Sequence, residues 1–113
     1  MSDPAVVSKE VLLKPQLPEE LVEVAGLGAV RVRGLSRAEV VTAQAPDKDR
    51  NDFETALLTF GLVDPALTET EARQWRETAL SKTVNDVSSA ILRLSGLLPG
   101  AAKAAKRTFR DDT

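Results

Sequence analysis

The 113-residue chain contains no cysteine, no histidine and no tyrosine, and each absence removes a class of chemistry. Without cysteine there is no disulfide framework, no thiolate nucleophile and no soft ligand for structural zinc. Without histidine the chain lacks the side chain that most readily acts as a general base near neutral pH, and the commonest metal ligand. A charge excess is missing too: 15 Lys and Arg against 17 Asp and Glu leave a formal net charge of -2. No global field therefore holds the protein on a nucleic-acid backbone or an anionic membrane. No run of apolar residues approaches the roughly 20 that a membrane helix needs, and the first residues show no basic segment followed by an apolar one. The expectation is a soluble, unprocessed, intracellular chain, and a single domain, because 113 residues with 42% hydrophobic content build one core and not two.

What is present is a series of punctuated elements. Pro4, Pro15 and Pro18 surround the apolar patch Val11, Leu12, Leu13, and prolines at that spacing predict an extended arm over residues 1–18, pinned at most at the patch. Residues 19–98 form the predicted domain. Val22, Val24, Val30 and Val32 alternate with Glu23, Arg31 and Arg33, the two-residue period of strands with one dry face, so a hairpin is expected over 20–34. Gly26 and Gly28 fall in its connection, where one glycine takes positive φ. They also spell a GxG, but a dinucleotide fingerprint needs a third glycine and a following helix, and neither is there.

Four helices are expected after the hairpin, over about 37–44, 50–61, 69–80 and 82–98. Ser36 and Glu39 make a capping box for the first, with Leu35 and Val40 at the staple positions; Thr68 and Glu71 repeat the box for the third. Phe53, Ala56, Leu57 and Phe60 recur at helical spacing in the second. Val84, Val87, Ile91, Leu94 and Leu98 make a core-facing stripe in the fourth, for which Thr83 is a candidate cap. The predicted core is Phe53, Leu57, Phe60, Val84, Val87, Ile91 and Leu94. Gly96, Pro99 and Gly100 stop the last helix, leaving 99–113 as a basic helical or flexible tail. The fold class predicted is α+β, mostly helical, with an extended arm and a small antiparallel hairpin ahead of a three- to four-helix domain.

No catalytic constellation is found. Glu69 and Glu71 sit in a first helical turn, where the helix dipole favours acids. Asp47, Asp49 and Asp52 imitate the start of a calcium loop, but the glycine and bidentate glutamate of that loop are not at the needed offsets. No nucleophile elbow or phosphate loop is present. The prediction is a protein that is not an enzyme, with no cofactor and no metal. Lys103, Lys106, Arg107 and Arg110 are the local candidates for a polyanion, yet Asp111 and Asp112 follow them and no aromatic residues interleave for stacking, which favours a solvated face. Large aromatics anchor cores and interfaces alike; Trp75 is weighed toward the core, Phe109 equally between the two. The residues retained as partner-binding candidates are Trp75, Leu97, Leu98, Lys103, Lys106 and Phe109.

The order of these pieces resembles a family. A hairpin ending in VRVRGLSRAE, an aromatic-aliphatic helix leading into GLVDP, the helix start LTETEA, a helix closing in RLSGL and the terminal AAKAAKRTF are together similar to the tail assembly chaperones of long-tailed bacteriophages and prophages, over roughly residues 20–110. The resemblance implies a non-enzymatic protein of the host cell cytoplasm. It would bind the tape measure protein and keep it soluble while tail tube subunits assemble. A longer product made by a ribosomal frameshift is common in that family, and the arm lies outside the part that resembles it. A homo-oligomer is also expected, because a lone hairpin leaves edge strands with unpaired backbone groups. Two other readings suit the same composition: a structural protein of the phage head-tail connection, and a small nucleic-acid-binding regulator using the basic end.

Overall fold

In the computed structural model, which describes residues 5–15 and 17–97, the chain runs α1 (Lys9–Leu13), β1 (Glu19–Val24), β2 (Gly28–Arg33), α2 (Arg37–Ala43), α3 (Arg50–Gly61), β3 (Leu62–Asp64), α4 (Glu69–Thr78) and α5 (Ser81–Leu94). The class is α+β, mostly helical, as expected. The sheet is three-stranded and antiparallel, in the order β1-β2-β3. Hairpin pairing runs from Glu19↔Arg33 to Val24↔Gly28, so Val22, Val24, Val30 and Val32 share one face, and α5 packs across β1 and β2 on that side.

Local signals set the helix starts. Ser36 Oγ accepts from the Glu39 amide at 3.2 Å and Glu39 returns a carboxylate oxygen to the Ser36 amide at 2.9 Å. Thr68 and Glu71 repeat the exchange at 3.1 and 2.9 Å. A third box was not foreseen: Asp49 accepts from the Asp52 amide at 2.8 Å, and Asp52 from the Asp49 amide at 3.3 Å. Two of the aspartates that imitate a calcium loop thus cap α3. Leu35 and Val40 are both buried at the start of α2, as a hydrophobic staple requires.

The structure corrects several boundaries. The arm is not wholly extended, because Pro4 and Pro15 bracket residues 9–13 instead of interrupting them; one helical turn forms, with Ser8 Oγ accepting from the Val11 amide at 3.2 Å. Lys14, immediately before Pro15, returns to extended backbone. A third strand, β3, follows α3 directly and pairs Val32↔Leu62 and Arg31↔Asp64 with a register irregularity between them. Three residues are too few for a two-residue period to be visible in the sequence. Thr83 is not a cap: the break falls earlier, at extended Ala79, and α5 starts from Leu80 without any side-chain cap.

The last helix ends at Leu94, four residues short of the expected limit at 98. Gly96 takes φ 82, its amide donates to Arg93 O at 3.1 Å and the Leu97 amide donates to Leu92 O at 2.7 Å. That pair of bonds is a Schellman motif, which closes a helix by satisfying its last carbonyls.

The interior is built from Val32, Leu57, Leu58, Ala72, Val87 and Ile91, surrounded by Val24, Leu35, Val40, Leu62, Val84 and Ala90. Leu57, Val84, Val87 and Ile91 lie where the stripes predicted. Phe53, Phe60 and Leu94 are only half-buried at its margin. The reason is that α3 touches α2, α4 and α5, so its buried surface is an arc through Leu57, Leu58 and Gly61 wider than one stripe. Thr55 enters that arc because its hydroxyl donates to Asn51 O at 2.9 Å, which satisfies its polar group.

Candidate partner-binding site

An apolar concavity of about 310 Å³ lies at the hairpin tip. One wall is the turn itself. The Leu27 amide donates to Val24 O at 2.9 Å, which places Gly26, with φ 82, at the position where a tight turn needs positive φ. Leu27 is then left 84% exposed at the rim. Val24 and Val30 lie diagonally on one face of the hairpin below it, since Val24 pairs with Gly28 and Val30 with Val22. Leu62 of β3 and the loop residues Pro65 and Leu67 make the second wall.

The third wall is Trp75. Thr68 and Glu71 set where α4 begins, which carries Ala72 into the core and Trp75, three residues on, to the core's edge. The indole is half-buried against the core and also lines the groove. Trp75, weighed toward the core from the sequence, packs at the core's edge and also lines the groove.

Of the remaining candidates, Leu97 is not brought to this place. Leu97 is packed against the core as the residue that follows the Schellman glycine, in the position that commonly makes a hydrophobic contact with the last turn of the helix. Leu98, Lys103, Lys106 and Phe109 lie outside the described residues. Leu27, Pro65 and Leu67 were missed. Only Leu27 carried a signal: it is a large apolar residue between two glycines, where strand alternation does not require one.

A second concavity, of about 690 Å³, is polar and lies between α3, α4 and the start of α5. Arg76 crosses it, with Nε donating to Glu54 at 2.6 Å and Nη2 to Asn51 at 3.0 Å. Its central charge is therefore already engaged in tying α4 to α3. A two-bond ion pair lies elsewhere, at the end of β2. There Arg33 grips Glu39 with two bonds of 2.8 and 2.7 Å. Hydrogen bonding to that guanidinium, helped by the Ser36 amide and opposed by partial burial, holds the Glu39 carboxyl down at about 2. These groups are fully used in fastening β2 to α2.

Among the described residues, no three acidic, histidine or cysteine side chains are grouped to hold a metal ion, and no helix is long and apolar enough to cross a membrane. Gly26 and Gly28 belong to the hairpin, with no helix following them. Comparison of the chain with models of known protein families, with curated proteins and with solved structures finds no match. What the geometry offers is an apolar groove with an aromatic wall.

Proposed function

We propose that this protein is a tail assembly chaperone of a long-tailed phage or prophage, acting in the host cytoplasm to hold the tape measure protein in solution until tail tube subunits surround it. The observation that carries the reading on the structural side is the groove at the hairpin tip. It joins Trp75 to exposed Leu27 and to the apolar floor of the sheet, in a chain whose sequence pieces resemble the family in their order. A long helical client exposes apolar stripes, and an apolar groove takes such a stripe by receiving side chains spaced three and four residues apart. The mechanism needs no covalent chemistry: covering the stripe removes the surface through which client molecules would otherwise aggregate.

Co-expression with the tape measure protein of the same phage tests this. The expected result is that the client is soluble and co-purifies with the wild-type chain, that Trp75→Ala and Leu27→Glu each reduce its recovery, and that the chaperone is absent from finished tails. A client that is equally soluble alone, or that never co-purifies, refutes the reading. Deleting residues 101–113 addresses the basic tail separately, with weakened capture and unchanged melting of the domain as the expected outcome.

A further inference from the structure

We propose that the hairpin-tip groove is a strand-addition site, in which an extended peptide of the pattern apolar-basic-apolar continues the line of β3 and bonds the open backbone edge of β2. β2 has six residues and β3 only three. Bonded pairs alternate along an antiparallel ladder, and the Gly34 amide donates to Pro18 O at 2.9 Å, so Gly28, Val30 and Val32 turn their backbone groups toward β1. Ala29, Arg31 and Arg33 turn theirs the other way. Asp64 lies opposite Arg31, but β3 ends there, and among the described residues the N–H and C=O of Ala29 have no backbone partner.

That donor and acceptor open into the groove. Gly28 and Ala29 line it on one side and Pro65 and Leu67 on the other, and the gap between them, about 310 Å³, is the volume of about ten waters. A second concavity, of about 520 Å³, adjoins Ala29 together with Glu23 and Gly26. One residue of an antiparallel strand offers a C=O and an N–H at the spacing that Ala29 presents. A helix cannot, because its backbone groups are spent on itself. A helical stripe of the client would therefore use the apolar walls alone, and the two ligands would compete for Trp75.

Register fixes the side chains. The ligand residue opposite Ala29 shares its outward face, while the residues before and after it turn to the face of Val24 and Val30. There Leu62, Leu67 and Trp75 receive them, which calls for large apolar side chains at both places. On the outward face Glu23 pairs with Ala29 and is exposed, and the ligand's middle residue lies about 10 Å from it, two strand spacings away. A lysine or arginine reaches Glu23 across so small a residue as alanine. Arg31 and Asp64 stand opposite each other and offset one another in charge, so Glu23 decides the sign.

The groove is the one assigned above to the client, but the inference does not rest on the client's identity: client capture without peptide binding would sink only the strand-addition site, and peptide binding without client capture only the chaperone reading. The test is NMR titration of the full chain with the peptide acetyl-Thr-Leu-Lys-Leu-Thr-amide. The expected result is a saturable shift of the Ala29 amide and the Trp75 indole N–H with a Kd of about 1 mM or tighter, and slowed exchange of the Ala29 amide, which is fast in the free protein. Methylating the amide nitrogen of the peptide's lysine, or replacing both its leucines by serine, should each weaken binding at least about tenfold. Replacing the lysine by glutamate should weaken it at least about threefold at low salt and less at high salt. Ala29→Pro should abolish binding with unchanged far-UV circular dichroism, because the Ala29 N–H takes no part in the β1–β2 ladder; the methylated peptide asks the same question of the unaltered chain. No saturable shift, or binding indifferent to methylation, would overturn the proposal. So would an Ala29 amide already protected in the free protein, which would mean that the chain itself or, if protection rises with concentration, a second copy holds the edge.

Discussion

Replacing Gly34 by alanine is the most demanding test of how the domain is assembled. Gly34 is buried between the end of β2 and the end of α5. A Cβ there would lie 2.5 Å from the carbonyl oxygen of Leu94, 2.7 Å from its carbon and 3.1 Å from the Ser95 amide nitrogen. All three are backbone atoms, so no rotamer change relieves the clash. The strand end must retreat, yet it is held on both sides: the Gly34 amide donates to Pro18 O at 2.9 Å and the Leu35 amide to Ser95 Oγ at 2.8 Å. Overpacking of this kind costs about 1–3 kcal/mol, and losing the Leu35–Ser95 bond adds about 1 kcal/mol. A total of about 2–4 kcal/mol corresponds to a fall in Tm of at least about 8 °C for a domain this small. Urea unfolding followed by circular dichroism measures it. Gly26→Ala is the control, since nothing lies within 4 Å of its Cβ and its φ of +82 makes the cost backbone strain alone, about 1–2 kcal/mol. Ser95→Ala should cost less in the Gly34→Ala background than in the wild type, because the bond it removes is already lost. A Gly34→Ala protein within about 0.5 kcal/mol of wild type would refute the close approach of strand and helix.

Ile91→Ala, at a fully buried site, should lose about 2–5 kcal/mol, and Leu94→Ala, half-buried at the margin, less than half of that in the same denaturant assay. Ser88 is buried in α5 and its hydroxyl has no partner among the described residues, so Ser88→Ala is expected to raise stability by up to about 1 kcal/mol, read from the urea midpoint. Glu39 has a carboxyl held at about 2 in the folded state against 4.5 ordinarily. Its stabilising effect is therefore complete above about pH 4.5 and lost progressively as pH falls toward 2. Glu39→Gln should be less stable at neutral pH, and the difference from wild type should shrink over that acid window in pH-dependent melting. Thr68→Ala should cost about 1 kcal/mol by removing one half of the α4 cap, with melting temperature as the readout.

Features whose causes lie within a few residues can be read directly from the chain. The Ser36 and Thr68 boxes, the hairpin's valine alternation, the Leu35–Val40 staple and the Val84–Val87–Ile91 stripe all act over one turn or one strand pair, and each is legible because sequence neighbours are spatial neighbours. The Asp49–Asp52 box is equally local, an acid three residues before another at a helix start, although the same aspartates also imitate the start of a calcium loop. Other features join distant segments and had no local sign. The Leu35 amide meets Ser95 across 60 positions, Arg93 donates to Glu20 across 73, and β3 exists because Leu62 finds Val32. The groove belongs to this second kind. Leu27, Leu62 and Trp75 come from a turn, a three-residue strand and a helix, and only the packing of α4 beside the hairpin tip makes them one surface. Apolar residues announce that they will be covered; which of them stay open to a partner is decided by how much of each the tertiary contacts leave over.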